Sequence, residues 1–134
     1  MRRLRGGSVA KDATQVWRVF SLEDGTTSME QLAVPLSPDR TGMTSKLLAG
    51  PGVMIRRSAP GRAASWHTAP RRQLIATLAG WGELETGDGQ RVRLTPGVLV
   101  VVEDVTGVGH QTWTDPTEGW HMLFIPLDAE TTLA

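Results

Sequence analysis

The chain has 134 residues, no net formal charge, 40% hydrophobic and 21% charged residues, no cysteine and no tyrosine, but five tryptophans. One domain is the default at this length, and such a domain folds without disulfides or structural zinc. Without cysteine there are no disulfides, thiolate metal sites, iron–sulfur clusters or cysteine nucleophiles. The charge balance argues against a nucleic-acid partner, which calls for a basic excess. No apolar run approaches the roughly 20 residues that span a bilayer. Arg2, Arg3 and Arg5 are not followed by the apolar stretch of a signal peptide. The expectation is therefore a cytoplasmic protein with no membrane partner.

In chain order, residues 1–14 are basic and then polar, without a period, and read as a flexible arm ahead of one domain over 15–134. From there the chain reads as short strands. Residues 16–20 are β-branched and aromatic and precede the turn-like Glu23-Asp24-Gly25. Residues 29–36 alternate in part; 37–42 form a loop cluster, and 45–50 a short apolar run closed by Gly50-Pro51-Gly52. Strands are expected over 53–58 and 72–80. Residues 80–94 give a hairpin around Gly87-Asp88-Gly89. The continuously apolar 98–102 suits a strand buried on both faces. Residues 110–113 and 120–127 complete the set. No segment holds a helical period over three turns, so the fold class is all-β, a sandwich or barrel with antiparallel strands and little helix.

The histidines fall at telling places. Gly61 is followed after five residues by His67, then Ala69, Gln73 and Gly80. Further on, Gly97 opens a strand and Gly107-Val108-Gly109 leads into His110. These spacings, within residues 53–127, resemble the two motifs of the cupin family. The first motif runs glycine, five residues, His-x-His, then glutamate and glycine. The second runs glycine to Pro-x-Gly and histidine. The resemblance implies a cupin-like jelly-roll barrel enclosing a pocket. It also implies a metal held by the motif residues, here His67, Gln73 and His110. The match is degenerate: Ala69 stands for the second histidine, Gln73 for the glutamate, and the second motif lacks its proline. The cofactor expectation is thus either none or one divalent metal.

Strand parity orients the remaining candidates. If Gln73 faces inward, so do Ile75 and Thr77, and Thr112 accompanies His110. Trp66 points away from His67 unless the chain bends before Pro70. Arg71 shares the parity of Gln73 and reaches the pocket mouth, whereas Arg72 faces away. Glu103 and Asp104 have two open readings: turn residues, or carboxylates that orient His110 or pair with an arginine. The candidate catalytic set is His67, Gln73, His110 and Arg71. Trp66, Ile75, Thr77, Trp81, Val100, Thr112, Trp113, Trp120 and His121 are the substrate-binding candidates. For His121 the competing reading is a structural strand residue.

Imidazole, amide and guanidinium groups in an apolar barrel suit proton transfer better than redox chemistry. The leading expectation is a non-redox cyclase or isomerase acting on a hydrophobic, polyketide-like small molecule. The alternatives are a metal-dependent cupin dioxygenase and a non-catalytic small-molecule-binding barrel. A homodimer is expected, with the segments over 15–50 covering the barrel and supplying edge strands.

Overall fold

The computed structural model describes residues 12–134. Most of the expected arm, residues 1–11, lies outside the described residues. Ala13 and Thr14, expected in that arm, already belong to the first strand. The strands are β1 (Ala13–Ser21), β2 (Thr27–Pro35), β3 (Ser37–Pro38), β4 (Met43–Thr44), β5 (Met54–Ser58) and β6 (Ala63–His67). They continue with β7 (Gln73–Gly80), β8 (Gly82–Thr86), β9 (Arg91–Leu94), β10 (Leu99–Val102), β11 (His110–Thr114) and β12 (Trp120–Pro126). The described residues contain no helix, so the fold is all-β.

Six strands form one sheet in the order β2-β1-β10-β7-β12-β5, and four form a second in the order β6-β11-β8-β9. All pairings are antiparallel except β1 with β10. That parallel pair is possible because a long stretch of chain separates the two strands. It puts β1 inside the sheet, while β2, from the same 15–50 region, forms one edge. The short apolar run over 45–50 forms no strand, and in the 37–42 cluster Ser37 and Pro38 form β3 while 39–42 make the tight turn into β4.

The two sheets face one another across a shared core. Val19, Ile75, Val100, Val102 and Met122 of the larger sheet pack with Leu84, Val92 and Leu94 of the smaller. The opposite face of the larger sheet carries a second cluster, in which Val16, Leu74 and Val101 meet Leu127, Leu133 and Leu48. This explains the unbroken apolar run over 98–102. Val100 and Val102 face one core and Val101 the other, and all three are buried.

Candidate functional site

Between the sheets a cavity of about 420 Å³ opens to the surface. Its walls follow the two-residue period of strands. Met54, Arg56 and Ser58 come from β5, Gln73 and Ile75 from β7, His110, Thr112 and Thr114 from β11, and Trp120, Met122 and Phe124 from β12. β6 breaks the period. His110 pairs with His67 and Thr112 with Ala64, so Ser65 and Trp66 together stand opposite Gln111. This bulge adds one residue and changes which face later residues point to. Ala64 and His67 both line the cavity, and Trp66 is turned outward, 44% exposed.

His67 and His110 meet with ring centroids 4.6 Å apart. Gly109 makes that approach possible. Its φ is +76°, and a Cβ there would lie 1.9 Å from the His67 carbonyl oxygen. Thr27 holds the loop from the other side. Its buried hydroxyl donates to the Gly109 carbonyl at 2.6 Å and accepts from the Gly87 N–H at 2.7 Å.

Each imidazole is oriented through Nδ1. Asp104, fully buried, places Oδ2 2.5 Å from His110 Nδ1. The other carboxylate oxygen, Oδ1, is buried with no hydrogen-bond partner among the described residues. His67 Nδ1 lies 2.7 Å from the Ser65 carbonyl oxygen. A carbonyl only accepts, so this nitrogen carries a hydrogen, and in the neutral ring Nε2 keeps the lone pair. Neither Nε2 has a protein partner among the described residues. Of the two open readings for Asp104, the structure shows the histidine-orienting carboxylate.

Gln73 is 2% exposed and forms the floor beside Val102. Its side-chain oxygen accepts a hydrogen bond of 3.1 Å from Arg71 Nη1, which also lines the cavity. Arg72 faces away. It pairs with Glu103, whose other carboxylate oxygen accepts from Arg18 Nε at 2.5 Å. Burial pushes the Glu103 carboxyl up, but the hydrogen bonds and charges of Arg18 and Arg72 prevail and hold it below the usual range.

The expected binding residues divide. Ile75, Thr112 and Trp120 line the cavity. Thr77 does not; it is buried behind Trp120 and accepts the indole N–H at 2.9 Å. Gly82 leaves room for that indole, since a Cβ there would lie 2.4 Å from the ring. Val100, fully covered, belongs to the core and not to the wall. Trp81 and Trp113 lie outside the cavity, under the guanidinium groups of Arg93 (3.9 Å) and Arg91 (4.7 Å). His121 points opposite to Trp120 and Met122, across from Arg57, and lies off the cavity as a strand residue. Arg56, Arg62 and Phe124 are wall residues that sequence reasoning missed. The alternation Met54-Arg56-Ser58 carried the signal for Arg56, but an arginine in an exposed strand reads first as a solvated one.

No protein-family model matches the chain, and no curated protein matches it. Among the described residues no three His, Asp or Glu side chains come together as a metal-binding group.

No helix among the described residues is long and apolar enough to cross a membrane.

Proposed function

We propose that this chain is a small-molecule enzyme of cupin-like fold that moves protons without redox chemistry, as a cyclase or isomerase does. The observation that carries the reading is the buried Asp104 carboxylate on His110 Nδ1, with His110 lining the cavity. A carboxylate in that position fixes the tautomer and stabilises the imidazolium, so Nε2 serves as a general base. His67, with Nδ1 committed to Ser65, offers a second proton carrier alongside. In this mechanism His110 Nε2 removes a proton from carbon next to a carbonyl. The electron pair moves onto the carbonyl oxygen, the Gln73 amide N–H and Arg71 stabilise the enolate, and the His110 imidazolium, held by Asp104, returns the proton at another atom. The apolar wall of Ile75, Val102, Met122 and Trp120 excludes water and suits a hydrophobic, polyketide-like substrate.

The cupin resemblance implies a metal on His67, Gln73 and His110. The donor set argues against it. The Gln73 oxygen already accepts from a guanidinium, and a divalent ion bound there would lie against Arg71. Ala69 supplies no donor, and the remaining ligands are two neutral imidazoles. The dioxygenase reading, which needs that ion, is correspondingly disfavoured.

The test follows deuterium incorporation into 2-tetralone, an apolar enolisable ketone, by proton NMR in D2O. The wild-type chain accelerates exchange. His110→Ala lowers the acceleration by about 10²–10⁴-fold, the usual contribution of a positioned base. Asp104→Asn lowers it while the ketone still binds. Exchange no faster than buffer, with the ketone bound, would leave a non-catalytic binding barrel. A homodimer is part of the same proposal. β5 is a sheet edge, Ile55 on it is 77% exposed, and a second copy would cover it; sedimentation velocity gives the mass.

A further inference from the structure

Arg56, Arg62 and Arg71 all line the cavity. Among the described residues none of the three forms a salt bridge, while Arg18, Arg72, Arg91 and Arg93 all do. No aspartate or glutamate among the described residues lines the cavity. Of the buried carboxylates, Asp104 is turned to His110, and Asp115 accepts from the backbone N–H groups of Thr117 and Glu118. Among the described residues, therefore, no carboxylate forms an ion pair with the positive charge at the mouth. Behind it the wall is apolar, and two buried polar groups, the Gln73 amide and His110, look into the same space. Arg56 also lies over the Phe124 ring at 5.4 Å, which holds its charge beside the opening.

From this arrangement we infer that the ligand is an amphipathic organic acid, whose anionic head is held by Arg56, Arg62 and Arg71 at the mouth while its apolar body fills the cavity. Guanidinium groups hold carboxylate or phosphate through paired, charge-assisted hydrogen bonds. The volume sets the size of the body. At roughly 30 Å³ per water-sized group, 420 Å³ takes on the order of 14 heavy atoms, one fused aromatic pair or a short branched chain. The inference names the substrate class for the proton-transfer reading and rests on it for the reaction, though not for binding.

Titration calorimetry with three probes of one shape tests it: 1-naphthoate, 1-naphthyl phosphate and neutral 1-naphthamide. At least one acid binds about tenfold or more tightly than the amide, the effect of one charge-assisted hydrogen bond. The tighter acid identifies the head group. The preference shrinks with added salt and is lost in the triple variant Arg56→Gln, Arg62→Gln, Arg71→Gln, but is kept in Arg91→Gln with Arg93→Gln. Equal binding of acids and amide, no binding of any probe, or a preference retained in the triple variant would overturn the inference. Thermal melts establish that the variants are folded. An acid preference without 2-tetralone exchange sinks the catalytic reading and leaves the anion site standing. Exchange without an acid preference does the reverse.

Discussion

The outer face of the four-stranded sheet and the mouth of the cavity use the same side chain in opposite ways. On the outer face Arg91 reaches Glu85 at 3.0 Å and Arg93 reaches Glu83 at 3.0 Å, and both guanidiniums cover a tryptophan. Every charge there is answered by a neighbour on the adjacent strand. At the mouth, Arg56, Arg62 and Arg71 have no ion-pair partner among the described residues. A chain of zero net charge thus keeps local neutrality on one surface and withholds it at another. Net charge alone describes neither surface, because field strength depends on which charges are neighbours.

The largest expected effect comes from breaking the frame of the cavity while leaving the outer face alone. Gly109→Ala forces a Cβ into the His67 carbonyl at a positive φ. Its stability in urea falls by about 3 kcal/mol or more, combining backbone strain with a steric clash, and naphthoate binding drops with it. Glu103→Gln sharpens the contrast by turning paired arginines into unpaired ones. Losing the charge-assisted bonds to Arg18 and Arg72 costs about 2–3 kcal/mol in the same measurement. Its pH dependence has a definite sign. The folded carboxyl of Glu103 is held below its unfolded value, so its contribution is present above the ordinary glutamate pKa and fades as pH falls through the depressed one. Urea midpoints between neutral and acid pH fall less steeply in Glu103→Gln than in the wild type. The smallest effect belongs to Glu83→Gln on the outer face. Exposed pairs contribute little, so stability changes by less than about 1 kcal/mol and naphthoate affinity stays the same.

The strand pattern was largely legible because β-branched residues alternate or run together and Gly and Pro mark the turns. Residues 98–102 show it best: five apolar residues in a row required burial on both faces, and the two core clusters supply it. β6 was not legible as a strand, since Ala63, Ala64 and Ser65 carry no apolar period. The meeting of His67 with His110 could be expected from spacing, whereas the clamp of Thr27 on Gly109 could not, because those residues are far apart in the chain. The tryptophans were the hardest to place. Parity gave Trp66 its outward direction through the bulge, but Trp81 and Trp113 were drawn to the outer face by arginines on β9, a pairing fixed by sheet register. Only Trp120 reached the cavity, with Thr77 and Gly82 behind it.

The valines of β10 have a consequence for the far end of the chain. Leu127 and Leu133 cover Val101 on the face of the large sheet turned away from the cavity. A chain cut after β12 would bare a β-branched, uncharged strip at the centre of that sheet, the kind of surface that seeds association between molecules. The last residues thus act as a solubility cover, and proteolysis there would first produce oligomers and precipitate, with the cavity on the opposite face still intact.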